Sequence, residues 1–218
     1  MITPKAVIFD MDGLMFDTER LAVDAWLHAG RELNLPITTE LIYSVIGVSW
    51  ERHKSIWRCE LGEIDFNKAN AICHDYMNLW IETNGIPVKP GLIELLSFLD
   101  ENDIEKAIAT GSERSIVDYY LGKACIDGSF PVIVTGESVG RSKPDPGIFL
   151  HAAKLLNTDP KDCIVLEDSI NGIKAAHAAD MTPIMIPDLI QSTEETELLI
   201  YAKLDSLTDV VPLLKGLL

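Results

Sequence analysis

The sequence is short of positive charge: 18 Lys and Arg stand against 34 Asp and Glu, a formal net charge of −16 over 218 residues. A surface this acidic repels nucleic acid and anionic membranes, which removes both as default partners. The same field would repel a phosphate ester at long range, so a site for one needs a cation and local basic groups to reverse it. Cysteine is equally sparse. Cys59, Cys73, Cys125 and Cys163 form no C-x-x-C pair and no Cys/His spacing suited to zinc. No window reaches the ~18 apolar residues of a membrane span, and the opening MITPKAVIFD, with one Lys and no long apolar run before its first acid, lacks the pattern of a signal peptide. Together these absences lead us to expect a cytoplasmic protein with free thiols. Internal repeats and low-complexity tracts are also missing, while an apolar content of 47% supplies a sizeable core.

What is present is an alternation. Lys5–Asp10 (KAVIFD) is a short apolar run ending in an acid, the pattern of a buried strand. Similar runs recur at Lys106–Thr110, Pro131–Thr135, Cys163–Glu167 and Pro183–Ile186, with helical patterns between them at Leu92–Leu99, Arg114–Lys123, Pro146–Leu156 and Ile170–Ala179. Strands alternating with such helices predict an α/β fold, a doubly wound parallel sheet covered on both faces. One stretch breaks the alternation. From Thr18 to Asn84 there are only amphipathic helical segments (Arg20–Leu33, Ser49–Leu61, Asn67–Thr83), too long a span for a loop. It reads as an inserted helical domain over 18–84 within an α/β core of 1–17 and 85–218. Phe16–Thr18 and Ile86–Pro90 are the expected linkers.

In an open parallel sheet, ligands bind beyond the carboxyl ends of the strands. At those ends this sequence places Asp10 and Asp12, Thr110–Gly111–Ser112, and Glu167–Asp168, with Lys143 ahead of a helix in RSKPDPGIF. Each has an ordinary structural explanation when taken alone. D-x-D-G is a common turn, Ser112 could cap a helix toward Ser115, Lys143 could be a solvated surface lysine, and Glu167–Asp168–Ser169 could be first-turn capping. Together those explanations fail. Two pairs of carboxylates at neighbouring strand ends repel by roughly 4 kcal/mol per pair at about 4 Å and an effective dielectric of 20. A hard divalent cation with oxygen ligands relieves that repulsion, and Mg²⁺ commonly takes one or two carboxylates with phosphate and waters.

DMDGLMFDTE, IATGS, SKPDPGIF and VLEDSINGIKAAHAA, in this order and spacing, resemble the four motifs of the haloacid dehalogenase superfamily. The helical insertion after the first motif resembles the α-helical cap of its beta-phosphoglucomutase-like branch. The resemblance spans nearly the whole chain and implies a Rossmann-like core, Mg²⁺ as cofactor and a small phosphorylated metabolite as substrate. It implies Asp10 as the nucleophile that forms an aspartyl-phosphate. Asp12 would protonate the leaving oxygen and then activate water, for which it must hold a proton near neutral pH. Raising an aspartic acid from about 3.9 to about 6 costs roughly 3 kcal/mol. Thr110 and the Gly111 amide would hold phosphoryl oxygens, and Lys143 would neutralise that group and Asp10. Asp10, the Asp12 carbonyl and Asp168 would ligate Mg²⁺, with Glu167 a direct or water-mediated ligand, while Gly13 turns the chain away. Members that cleave carbon–halogen bonds lack the second aspartate, so the resemblance disfavours dehalogenation.

The insertion is less legible. Branch members carry a Gly-x-Ser-Arg-like loop that reaches substrate. Here IGVSWERH offers Gly47 and Ser49, with Trp50 where Arg is common and Arg52 two residues on. Trp50 fits packing of a cap helix or stacking on a sugar ring; Arg52 and Lys54 fit substrate contacts or solvated charges. Trp26 and Trp57 fit cap packing, and His177, on an Ala-rich helix, reads as structural. The leading expectation is a phosphatase acting on a small phosphate monoester of the sugar-phosphate kind. Its rivals are a phosphosugar mutase and a catalytically silent binding module. The mutases carry a histidine shortly after the first motif, and in this register Ala22 takes its place, which favours hydrolysis.

Overall fold

A computed structural model describes residues 3–218. Strand β1 (Ala6–Phe9) opens the chain and leads into four helices, α1 (Thr18–Leu33), α2 (Thr39–Tyr43), α3 (Trp50–Leu61) and α4 (Phe66–Asn84). The alternation then resumes with α5 (Leu92–Glu101), β2 (Glu105–Thr110), α6 (Arg114–Lys123), β3 (Val132–Thr135), α7 (Gly147–Leu155), β4 (Cys163–Glu167) and α8 (Ile170–Ala178). It closes with β5 (Thr182–Met185), α9 (Glu194–Glu197), β6 (Ala202–Lys203) and α10 (Val210–Lys215). The six strands form one sheet in the order β3-β2-β1-β4-β5-β6, and every pairing is parallel. This is the expected doubly wound α/β fold.

Period-2 alternation explains how one strand serves two faces. Val7 and Phe9 point into a cluster with Leu95 and Leu99 of α5, Val117 of α6 and Leu214 of α10. Ala6 and Ile8 point into a second cluster with Phe149 of α7 and Ala175 and Ala176 of α8. All four β1 side chains are fully buried, which is why the run reads as continuously apolar. The helices between β1 and α5 hold a third cluster of their own, centred on Ala25, Trp26, Ala29, Trp57, Phe66 and Cys73. Small residues at Ala25, Ala29 and Ala69 give α1 and α4 a close approach to that core, and Trp57 satisfies its indole N–H on the Leu41 carbonyl at 3.2 Å. Trp26 and Trp57 therefore pack as the sequence suggested.

The chain leaves and re-enters the sheet region at one place. Asp17 N–H donates to the Pro87 carbonyl at 2.8 Å and Lys89 N–H to the Met15 carbonyl at 2.9 Å, so the outgoing and returning segments pair with each other. Asp188, on the loop after β5 and with its side chain 2% exposed, accepts from Lys89 at 2.7 Å and from Arg20 of α1. Both helices flanking the insertion's main loop are capped by their sequence: Thr38 accepts from Leu41 N–H and Ser49 from Arg52 N–H.

Several details differ from the sequence reading. The final strand and helices, β6, α9 and α10, are too short to show a period, and α2 is a five-residue turn of helix with only Ile42 buried. The strand expected at Pro183–Ile186 runs Thr182–Met185. His177 is exposed in the last turn of α8, because the helix buries Gly172, Ile173, Ala175 and Ala176 instead.

Candidate active site

The parallel register decides what meets at the sheet edge. Phe9 pairs with Ile108 on one side and Leu166 on the other, so the next residues in each strand, Asp10 and Glu167, emerge level on neighbouring strands. The central position of β1 puts Asp10 between the ends of β2 and β4. Carboxylate oxygens of Asp10, Glu167 and Asp168 lie within 4.8 Å of one another, and all three residues are buried. Lys143, from the loop before α7, reaches across to donate to Asp10 Oδ1 and Glu167 Oε1, each at 2.5 Å. Its ring-facing side lies over Phe149, 4.8 Å from the centroid.

Glu167 is the most tightly held acid of the set. Besides Lys143, its Oε2 accepts from the Ser169 amide and the Ser169 hydroxyl, both at 2.9 Å. The helix behind it has no room to spare: a Cβ at Gly172 would lie 1.7 Å from Glu167 Oε1. Gly13 performs a matching service for Asp168. It adopts φ +80°, and a Cβ there would fall 2.3 Å from Asp168 Oδ2. Asp12 is fixed by two hydroxyls, Thr18 Oγ1 donating to Oδ1 and Ser112 Oγ to Oδ2, both at 2.6 Å. Ser112 is thus a partner of Asp12, and α6 takes Glu113 as its N-cap residue instead. Thr110 is 1% exposed at the end of β2 and accepts the Ser112 amide at 3.1 Å.

One ammonium serves this many acids poorly. Burial, followed by repulsion from Glu167 and Asp12 and opposed by Lys143, pushes the Asp10 carboxyl up to about 7. Burial, then Glu167, Asp10 and Glu19, hold the Asp168 carboxyl well above the usual carboxylate range. Burial alone would lower the Lys143 ammonium, but Asp10 and Glu167 outweigh it and the net shift is upward. The missing counter-charge and the all-oxygen donor set fit a hard divalent cation among Asp10, Glu167 and Asp168.

A cavity of about 650 Å³ opens above these groups. Asp10, Asp12, Thr110, Gly111, Lys143 and Asp168 line it from the sheet side; Gly47, Ser49, Trp50 and Ala22 line it from the helical insertion. The two sides touch where Asn171 of α8 donates to the Gly47 carbonyl at 2.7 Å. Arg52 does not line the cavity; it is exposed on α3, and Lys54 pairs with Glu51 at 2.6 Å. Sequence reasoning missed Glu19, which also faces the cavity. Burial, then the charges of Asp12, Asp10 and Asp188, push its carboxyl up to about 8. In sequence it is only an acid in the first turn of a helix, and nothing in that pattern separates it from routine capping. His53 also lines the cavity, and in sequence nothing sets it apart from a surface histidine.

Comparison with known proteins agrees with this geometry. Residues 4–180 match the family described as haloacid dehalogenase-like hydrolase. A beta-phosphoglucomutase of Bacillus subtilis is 32% identical over 184 residues, covering 81% of this chain and 80% of that protein. Hexitol phosphatase B of Escherichia coli K12 is 29% identical over 221 residues, covering 96% and 97%. Among solved structures, a hydrolase from Pseudomonas syringae superposes with a TM-score of 0.81 at 27% identity, covering 97% of this chain and 98% of that one. No helix among the described residues is long and apolar enough to cross a membrane.

Proposed function

Because the chain belongs to the haloacid dehalogenase-like hydrolase family, we propose that it is a magnesium-dependent phosphatase of a small phosphate monoester, of the sugar-phosphate class, working through an aspartyl-phosphate on Asp10. The observation that carries this reading is the buried triad of Asp10, Glu167 and Asp168 around a single Lys143, with Asp12 placed beside it. Asp10 and Asp168 would hold Mg²⁺, with Glu167 beside them and the Asp12 carbonyl completing the protein's share. Bound there, the ion would supply the positive charge that lets a phosphate dianion approach these acids.

Asp10 attacks phosphorus; the P–O bond to the alcohol breaks as the Asp10–phosphorus bond forms, and Asp12 gives its proton to the departing oxygen. Lys143 stays on Asp10 Oδ1, which leaves the other oxygen as the nucleophile. Thr110 and the Gly111 amide receive phosphoryl oxygens at the end of β2. Asp12 then takes a proton from water, whose oxygen bonds to phosphorus as the acyl-phosphate bond breaks and Asp10 returns as a carboxylate. The Thr18 and Ser112 hydroxyls suit the double duty of Asp12, since each can rotate between donating to a carboxylate and accepting from a carboxylic acid. The helices over 18–84 act in this reading as a cap that closes the cavity against solvent.

The Bacillus subtilis relative supports a second reading, a phosphosugar mutase, in which the aspartyl-phosphate waits for a second sugar phosphate. Ala22 lines the cavity where those mutases carry a histidine, so nothing at that position restrains Asp12 from activating water. Given beta-glucose 1-phosphate, a trace of glucose 1,6-bisphosphate and Mg²⁺, the enzyme should release inorganic phosphate faster than it forms glucose 6-phosphate. Formation of glucose 6-phosphate with negligible phosphate release would establish the mutase.

A further inference from the structure

The insertion's side of the cavity has an unusual composition. Its only acidic lining residue is Glu19, and no Lys or Arg of the insertion lines the cavity among the described residues. The cavity's basic residues both come from the loop before α7. Lys143 is committed to Asp10 and Glu167, and Arg141 is 83% exposed at the rim, 3.6 Å from Asp145. Opposite the acids the wall is aromatic instead. Trp50 is 38% exposed and stacks on Trp26 with centroids 6.4 Å apart at 25°. His53 is 8% exposed, lies edge-on to Trp50 at 4.9 Å and to Trp57 at 4.3 Å, and its Nε2 has no hydrogen-bond partner. Burial pushes the His53 imidazole down to about 4, so it brings no positive charge to the wall near neutral pH.

Trp50 is held in that place by its neighbours. Ser49 caps α3, making Trp50 the first helical residue, and the Asn171–Gly47 bond fixes the preceding loop against α8. Lys54 lies 5.8 Å from the Trp50 ring centroid and is already paired with Glu51. An anionic group arriving at this wall would meet uncharged rings and no Lys or Arg of the insertion. A flat, uncharged ring would meet the exposed part of the Trp50 indole, which is backed by the Trp26 indole, with His53 packed edge-on beside it.

We infer that Trp50, backed by Trp26 and His53, is a specificity wall that selects monophosphate esters whose remainder is an uncharged ring and rejects substrates carrying a second phosphate. The inference rests on the phosphatase reading for the chemistry, but it concerns binding and can be tested separately from turnover. Stacking on an indole is worth on the order of 1 kcal/mol, so loss of the ring contact corresponds to roughly a five- to tenfold weaker complex.

The test measures affinity on the Asp10→Asn protein with Mg²⁺ by calorimetry, so that turnover does not intervene. The ligands are beta-glucose 1-phosphate, phenyl phosphate, glycerol 3-phosphate and glucose 1,6-bisphosphate. Both ring monophosphates should bind at least fivefold more tightly than glycerol 3-phosphate and at least tenfold more tightly than the bisphosphate. Adding Trp50→Ala should abolish the preference over glycerol 3-phosphate, and Trp50→Phe should retain most of it, which a general loss of folding would not do. A ring preference unchanged by Trp50→Ala, or a bisphosphate bound as tightly as the monophosphates, would overturn the wall. Phosphate release by the wild-type enzyme on the same panel is read in parallel. If the binding pattern holds and no ester is hydrolysed, the phosphatase reading falls and the wall stands.

Discussion

Gly172 is the position at which helix propensity and site geometry make opposite demands, and Gly172→Ala separates them. Propensity alone favours alanine by up to about 1 kcal/mol. The new Cβ, however, would lie 1.7 Å from Oε1 and 1.9 Å from Cδ of Glu167, a residue with no exposed surface. Glu167 would have to move, giving up at least one bond among those from Lys143 and Ser169. A hydrogen bond to a charged group contributes about 1.5–3 kcal/mol and overpacking costs about 1–3 kcal/mol. Less the propensity gain, the variant should lose about 2–5 kcal/mol in urea unfolding with EDTA present, and it should need more Mg²⁺ for half-maximal activity. Gly122→Ala is the matched control. Gly122 is exposed in α6 and a Cβ there meets nothing within 4 Å, so it should gain up to about 1 kcal/mol. A Gly172→Ala protein as stable as wild type would refute the close packing of α8 on Glu167.

Asp12→Asn should slow both half-reactions by roughly 10²–10⁴-fold for alkyl phosphates, while aryl phosphates with good leaving groups lose less in the first; burst kinetics across a leaving-group series check this, and equal loss throughout would remove Asp12 as the acid. EDTA should eliminate turnover and Mg²⁺ restore it, with Ca²⁺ inhibiting because its longer, more numerous bonds loosen in-line geometry; full activity in Ca²⁺ would contradict the site. His53 gives a pH signature in stability. Its folded value of about 4 lies below the ordinary 6.5, so between those values the unfolded chain binds more protons, and stability is lost as pH falls through that window, by on the order of 3 kcal/mol. Asp10 and Glu19, raised by burial, slope the other way in metal-free protein, so the reading is the difference between wild type and His53→Leu in urea midpoints; parallel curves from pH 6.5 to 4 would exclude a buried neutral His53.

Much of this arrangement was legible in the sequence because it depends on local order. A strand buried on both faces must be a short apolar run, and in parallel sheets ligand groups follow such runs, so Asp10, Thr110 and Glu167 could be placed by position alone. Gly13 also declared itself, since D-x-D-G is a turn that needs positive φ. What stayed hidden depends on long-range packing. Glu19, Asp188 and His53 acquire their character from burial against elements distant in sequence, and their local patterns match those of solvated residues. Arg52 illustrates the converse: a cation one turn into a helix near a substrate loop invites a functional role, yet the helix phase that turns His53 and Trp57 inward turns Arg52 to solvent. The short closing elements could not be read at all, because two to six residues do not define a period.

The central place of β1 also has a kinetic consequence. Asp10 is made early, but its ammonium partner Lys143 lies 133 residues later and Glu167 another 24 beyond that. Until the segment carrying Lys143 reaches the end of β1, the chain holds the DxD acids and the whole helical insertion without the charge that balances them. Contacts at such separations close large loops and form slowly. The proposed reaction therefore has no site on a partly folded chain, however complete its insertion, because that site needs both Lys143 and the strand leading to Glu167 and Asp168 docked beside β1.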